Sequence, residues 1–332
     1  MTAAVSASSP ARTQGLRPFD GRRDMGALAD LIATAFAEQL DHTGRQMVAG
    51  MRLLSRLGWL GWLLGRWLLP PAANPLGFVW EQDGRIVGNA SLMPVRNYEK
   101  RWVMANVAVH PQYRRQGIAG HLVRASIDAA REKGARELAL QVDRDNEVAH
   151  AMYQQFGFRL LSDRTTWYRP RGLQPAKPPV TDRVGLRQPG EWQAQFALAR
   201  RLHPEGLIWP FPTVASLFRP AGAGWLTAGP NSHWLWRANG RVEGSLSLRP
   251  GVEPGLQRML LVVDPAVSEL AEPVLVDCAL SRSASRRSAF VLDYMTGVIE
   301  DDLRLRGFEL RRRLLWMGLN LSSGPTHREN QA

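Results

Sequence analysis

The sequence predicts an α/β fold with a mixed sheet, built as two tandem domains of one kind. Three observations predict it. Segments of helical periodicity alternate with short apolar or alternating segments of strand length, the pattern of layered helices and sheet. The chain repeats itself: WEQDGRIVGNASL around Trp80 returns as WRANGRVEGSLSL around Trp236, so that Trp80, Gly84, Arg85 and Gly88 match Trp236, Gly240, Arg241 and Gly244 at a constant offset of 156. A proline-bearing stretch, 170–183, with Pro175, Pro178 and Pro179, reads as the linker between the copies. A length of 332 residues suits two domains of ordinary size.

The elements follow in order. Residues 1–15 are rich in Ala, Ser and Thr, lack a continuous apolar stretch and read as a disordered leader, not a secretory signal. The first copy, 16–169, opens with a short strand near Leu16–Phe19. Helical periodicity follows at Met25–Gln39 and again at Thr43–Leu69. Each copy of the repeat is an aromatic strand, a tight turn containing Gly and an alternating strand, the signature of a β-hairpin; in the first copy the strands are Phe78–Gln82 and Ile86–Val95. Trp102–Val109 is the next strand. A long helix from about Gly117 to Lys133 is stopped by Gly134, and an apolar strand covers Leu138–Val142. A helix at Glu147–Phe156 and a last strand at Arg159–Arg169 complete the unit.

The second copy, 184–321, echoes the flanks of the first. Leu186-Arg187 answers Leu16-Arg17, Val263-Asp264-Pro265 answers Val109-His110-Pro111, and Arg306-Gly307-Phe308 answers Phe156-Gly157-Phe158. The offsets drift from 170 to 150, as they do when loops change length between two copies of one fold. Residues 322–332 read as a disordered tail.

Composition narrows the function. The single cysteine, Cys278, excludes a disulfide framework and a cysteine-rich zinc site, and the seven histidines show no metal-ligand spacing, so no metal is expected. The net charge of +12 is dispersed: 39 of the 42 basic residues are arginine, with only Lys100, Lys133 and Lys177 as lysine, and no basic run forms a tail. That reads as composition, not as a specific nucleic-acid surface. The greasy stretch Leu53–Leu69 holds Trp59, Trp62 and Trp67, yet Arg56 and Arg66 leave only nine arginine-free residues between them, against the ~20 a span needs. Packing against the second copy or another chain is the first expectation for it. An apolar lid over an acceptor and an amphipathic helix on a membrane surface are the alternatives. A cytoplasmic protein, monomeric or homodimeric, is expected.

The segment that carries chemistry lies between the Trp102–Val109 strand and the long helix. In His110-Pro-Gln-Tyr-Arg-Arg-Gln-Gly-Ile-Ala-Gly120, the glycines let backbone approach a ligand, the helix start offers unpaired N–H groups and a positive dipole end, and Arg114 and Arg115 add full charge. Such a segment is either a cradle for a pyrophosphate or a plain strand–helix turn carrying surface arginines. It lacks the Gly-Lys-Ser/Thr of the Walker loop and is not Gly-x-Gly-x-x-Gly.

The run Arg114-x-x-Gly117-x-Ala119 resembles the Gln/Arg-x-x-Gly-x-Gly/Ala signature of the GNAT superfamily of acetyl-CoA-dependent N-acetyltransferases. Downstream, Asn146, Ala149, Met152-Tyr153 and Phe156-Gly157-Phe158 resemble that family's second signature. The resemblance implies two GNAT-like domains, with acetyl-CoA as cosubstrate and a small-molecule or peptide amine as acceptor. It implies that Arg114, Arg115, Gln116, Gly117, Ile118, Ala119 and Gly120 hold the coenzyme pyrophosphate, and that backbone groups of Val107 and Val109 pair with the pantetheine arm where that strand splays from Leu138–Val142. Asn146 would contact the coenzyme near its sulfur, and Tyr153 would protonate the leaving thiolate.

Family members often carry a basic Glu on the strand before the cradle; here that strand is WVMANVAV, with Asn106 and no carboxylate. Glu81, Glu99, His110 and a water relay stay open as the base. That departure makes a non-catalytic acetyl-CoA-binding protein the alternative reading. The second copy lacks the cradle: after Pro265 it has neither an arginine pair nor a glycine, and it carries Glu269, Glu272 and Pro273. It reads as a degenerate domain, with Cys278 as packing on its apolar helix.

Overall fold

In the computed structural model the residues described are 15–37, 42–57, 76–95, 98–203, 207–208, 211–220, 232–251, 253–281 and 287–322. The first copy runs β1 (Gly15–Pro18), α1 (Met25–Ala35), α2 (His42–Arg56), β2 (Leu76–Gln82), β3 (Arg85–Val95), β4 (Tyr98–Val109), α3 (Ile118–Glu132), β5 (Glu137–Asp143), α4 (Glu147–Gln155) and β6 (Arg159–Arg169). The second runs β7 (Val184–Leu186), α5 (Trp192–Leu202), a two-stranded ribbon of β8 (Leu207–Ile208) and β9 (Phe211–Pro212), then β10 (Ser232–Ala238), β11 (Arg241–Pro250), β12 (Leu256–Val263), α6 (Ser268–Leu280), β13 (Ala289–Met295), α7 (Glu300–Leu305) and β14 (Glu309–Asn320). The helix expected over Thr43–Leu69 is described as far as Arg56; the three tryptophans beyond it lie outside the described residues, as do most of the leader and of the tail.

The repeated hairpins form because their turns take a backbone, positive φ at both central residues, that suits a right-twisted two-residue connection. Asp83 and Gly84, and again Asn239 and Gly240, all have positive φ, at 51° and 75° and at 51° and 71°. Both hairpins carry a register shift one step before the turn, at Trp80/Glu81 and at Trp236/Arg237, so the copies agree even in their irregularities.

Twelve strands form one sheet in the order β1-β2-β3-β4-β5-β14-β6-β13-β12-β11-β10-β7. It is mixed: β4–β5 and β12–β13 run parallel, and the other neighbours antiparallel. The centre shows what no local pattern encodes. The final strands of the two copies are exchanged, β14 lying against β5 and β6 against β13, and they pair with each other from Glu309↔Tyr168 to Gly318↔Arg159. Their side chains cross over too. Trp167 of the first copy is fully buried in the second copy's core beside Trp234, Phe290 and Leu292. Leu315, Met317 and Leu321 of the second copy sit in the first copy's core beside Trp102, Met104 and Leu140. Each core is therefore completed by the other half of the chain.

Candidate active site

β4 and β5 run side by side only from Arg101↔Glu137 to Met104↔Leu140. Beyond Met104 the ladder ends, and Ala105 to Val109 part from β5, leaving a notch. On its other edge β4 carries a bulge. Asn89 faces Ala108 and Ser91 faces Ala105, so two residues, Asn106 and Val107, stand opposite Ala90 alone. Asn106 takes the left-handed conformation, φ 52°, that such an extra residue needs. Asn89 Nδ2 donates to the Asn106 carbonyl at 2.9 Å. The Asn89 pin was not read from the sequence. Its signal is a spacing: six residues from Met104 to Val109 against five from Met259 to Val263.

The chain then turns through Pro111–Tyr113 and enters α3, whose N-cap is Gly117 at φ 77°. A Cβ on Gly117 would meet nothing nearer than His121 at 3.9 Å, so the demand for glycine comes from the backbone angle and the surface above it is open. The amides of Ile118, Ala119 and Gly120 belong to the first turn and have no acceptor inside the helix. Gln116 and Arg115 are exposed, and Arg115 is itself left-handed at φ 67°. Arg114 is spent differently from Arg115. Its guanidinium reaches back to the Val109 carbonyl at 3.3 Å and to the Ala35 carbonyl at 3.4 Å, tying the loop to β4 and to the end of α1. No carboxylate occurs between Val109 and Asp128. Free amides, a helix dipole and cationic side chains without an opposing acid suit a pyrophosphate, so the cosubstrate implied by the sequence fits the residues present.

Val107 and Val109 pack on the α3 side, against Ile118 and Leu122. Asn146 is the N-cap of α4, its Oδ1 accepting from the Ala149 amide at 3.1 Å, which leaves its Nδ2 as the free polar end. Tyr153 lies on the buried face of α4 with its ring edge-on to Phe158 at 5.8 Å. Burial pushes its phenol far above the ordinary tyrosine value, so the group stays protonated at neutral pH.

The open candidates for a base separate. Glu81 is held by Arg17 at 2.6 Å and by Arg23 at 3.1 Å. His110 accepts from the Gln112 amide through Nδ1. The Glu99 side chain lies outside the described residues. Glu81 instead joins a cleft of about 450 Å³ between α1, the β2–β3 turn and His110. At its wall Arg17 also clasps Asp24 at 2.6 Å. Burial alone would raise the Asp24 carboxyl, but the Arg17 hydrogen bonds and charge outweigh it and hold the group below its ordinary value.

The second copy shows the same notch and fills it. β12 and β13 part after Met259↔Leu292. Tyr294, beyond that point on β13, sends its hydroxyl to Glu272 on α6, and Ser268 Oγ donates to the same carboxylate oxygen at 2.6 Å. Glu272 is 1% exposed, and Leu275 sits over Gly244 as Leu122 sits over Gly88. By that correspondence Glu272 stands at the helix position of Ala119. It points inward, so the cradle position is taken by a buried carboxyl that burial has raised toward its neutral form. Cys278 is buried in the same core, and burial with the neighbouring Asp277 pushes its thiol up to about 11, which keeps it protonated and unreactive.

A sheet whose parallel strands part beside a glycine-capped helix start, repeated with the second notch closed, defines the class: an acyltransferase-type fold in tandem. Residues 52–158 match the Acetyltransferase (GNAT) family. The chain is similar along its whole length to the GCN5-related N-acetyltransferase from Sphaerobacter thermophilus, with a TM-score of 0.65, 15% identity and coverage of 96% of this chain and 98% of that one. It is also similar to a tandem GNAT protein from the clavulanic acid biosynthesis pathway, with a TM-score of 0.55, 17% identity and coverage of 94% and 100%. Over 93 residues, 28% of this chain and 61% of its relative, it is 31% identical to the ribosomal protein bS18-alanine N-acetyltransferase of Escherichia coli strain K12. The chain thus spans about three fifths of the length of the bS18-alanine N-acetyltransferases it matches. Its first copy is thus similar to the GNAT family over residues 52–158, and the whole chain has the fold of solved tandem GNAT proteins. Among the described residues no helix is long and apolar enough to cross a membrane.

Proposed function

We propose that this chain is an N-acetyltransferase that moves an acetyl group from acetyl-CoA to a primary amine by direct attack in a ternary complex. The observation that carries the reading is the open cradle at the start of α3 beside the β4–β5 notch, present in the first copy and plugged in the second. The working domain is 16–169, with 170–183 as linker and 184–321 as the partner domain that shapes and supports it. Amides from Gln116 to Gly120, with Arg115, hold the pyrophosphate, and Arg114 fixes the loop. Backbone groups of Val107 and Val109 line the notch for the pantetheine arm, and Asn146 meets the coenzyme near its sulfur.

In the reaction the amine nitrogen bonds to the thioester carbonyl carbon, the carbon–sulfur bond breaks, and Tyr153 delivers a proton to the departing thiolate. The amine's own proton leaves to water. Positioning and electrostatics supply most of the acceleration. A peptide α-amine leads the acceptor panel, because the E. coli relative is named for a ribosomal-protein alanine; small-molecule amines follow. A cytoplasmic site of action and a monomer or homodimer accompany this reading.

Calorimetry with acetyl-CoA tests the cradle: saturable binding, weakened at least tenfold by Arg114→Glu with Arg115→Glu, is expected, and no binding by the unaltered protein overturns the reading. Tyr153→Phe is expected to slow thiol release about 10²-fold while leaving acetyl-CoA affinity within about twofold, the size of general-acid effects. The absence of a carboxylate from Trp102 to Val109 on β4 favours one second reading, a non-catalytic acetyl-CoA-binding protein. It predicts binding with no thiol release across the whole amine panel, and turnover on any amine excludes it.

A further inference from the structure

The two copies differ at one strand pair in a way that singles out Asn89. In the second copy the β11–β12 ladder is regular from Gly244↔Val263 to Pro250↔Gln257. Met259, Leu261 and Val263 all face α6, while Leu260 and Val262 all face α5, the unbroken alternation of a plain strand. In the first copy the alternation breaks. Trp102 and Met104 face α3, and so do Val107 and Val109, three residues and then two further on. The extra residue at the bulge reverses the parity of everything after it, and without it Val107 and Val109 would turn to the other face of the sheet.

What holds the reversal is Asn89. It is 0% exposed and lies on the opposite face of β3 from Gly88 and Ala90, and its Nδ2 donates to the carbonyl of left-handed Asn106 at 2.9 Å and to Ser91 Oγ at 3.2 Å. Its Oδ1 is buried with no hydrogen-bond partner among the described residues. A fully buried amide with an idle oxygen is a poor choice for stability alone. At the equivalent position of the second copy, where no bulge exists, stands the smaller Ser245.

We infer that Asn89 is a positioning residue for the acyl-CoA cleft: by pinning the Asn106 carbonyl it holds the β4 bulge, and the bulge aims the backbone of Val107 and Val109 into the notch beside β5. This rests on the acetyl-CoA reading above, and the experiment separates the two.

Acetyl-CoA affinity by calorimetry and KM for acetyl-CoA are measured for the unaltered chain, for Asn89→Ser, which installs the second copy's residue, and for Asn89→Ser combined with Asn106→Gly. Glycine adopts positive φ without a pin, so it restores the bulge if that is all Asn89 supplies. The expected result is a tenfold or greater loss of affinity in Asn89→Ser and recovery to within about threefold in the double variant, with the thermal midpoint of Asn89→Ser no lower than that of the unaltered chain. Unchanged affinity in Asn89→Ser overturns the role of Asn89, as does a loss that Asn106→Gly fails to repair or one that tracks a lowered midpoint. Failure of the unaltered chain to bind acetyl-CoA overturns the acetyl-CoA reading itself, and this inference with it.

Discussion

At the scale of single residues, the cradle sets backbone comfort against charge. Arg115 is held at φ 67°, a conformation that costs a side-chain-bearing residue free energy unless something is gained there. Its guanidinium is exposed, so the gain is expected in ligand binding. Arg115→Gly is therefore predicted to stabilise the free protein by roughly 0.5–1 kcal/mol while weakening acetyl-CoA several-fold, read by thermal melting and calorimetry on one preparation. A less stable variant would show that the loop needs the guanidinium even without ligand. The neighbouring Arg114 is expected to behave in the opposite way, because its bonds to the Val109 and Ala35 carbonyls belong to the fold.

At the scale of elements, the second copy's α6 and its β10–β11 hairpin carry buried polar groups whose pH dependence has a definite sign. Burial raises the Glu272 carboxyl above its ordinary value, and hydrogen bonds from Ser268 and Tyr294 offset only part of that. Its contribution is complete below the unfolded glutamate value of 4.5 and is lost as pH rises through the folded value. Glu272→Gln keeps the shape and the acceptor for Tyr294. It is predicted to be more stable than the unaltered chain at pH 7, with the gain shrinking at pH 4 in urea unfolding.

His233 works in the other direction. Burial, then the charges of Arg187 and Arg249, push its imidazole down to about 4, and its Nδ1 pairs with Ser247 Oγ at 2.7 Å. A neutral buried histidine contributes stability above the ordinary value of 6.5 that drains away as pH falls toward 4. That is roughly 3 kcal/mol from this group. His233→Asn should flatten that part of the acid-unfolding profile; an unaltered slope would remove His233 as its cause.

At the scale of the whole molecule, strand exchange makes two copies into one cooperative unit. Met317 is 0% exposed in the first copy's core although it belongs to the second copy's last strand. Met317→Ala is predicted to cost about 2–5 kcal/mol and to raise hydrogen exchange in α3 and β5, some 180 residues away in sequence. Thermal unfolding should show one transition. Protection lost only in β12 and β13, or two separate transitions, would mean that the halves stand alone.

Much of this was legible in the sequence because its causes are local. Turn glycines, the amphipathic face of α3, the proline linker and the glycine-arginine run before α3 are set by nearest neighbours along the chain. So the tandem α/β fold, the hairpins at Trp80 and Trp236 and the position of the cradle were all read there. Residues far apart in sequence decided the rest. Neither β6 nor β14 says in its own residues which core it will enter, since a strand's alternation does not name its partner, and only the assembled sheet places each in the other's half. The inward turn of Glu272 depends on Tyr294 arriving from another strand, and the pin at Asn89 on a carbonyl 17 positions away. The sequence by itself determined the elements, their order and the glycine-arginine run that opens α3. The tertiary structure alone decided which strands complete each core, why one notch is open and the other filled, and what holds β4 in its bulge, because burial and hydrogen-bond partners exist only once the chain has closed.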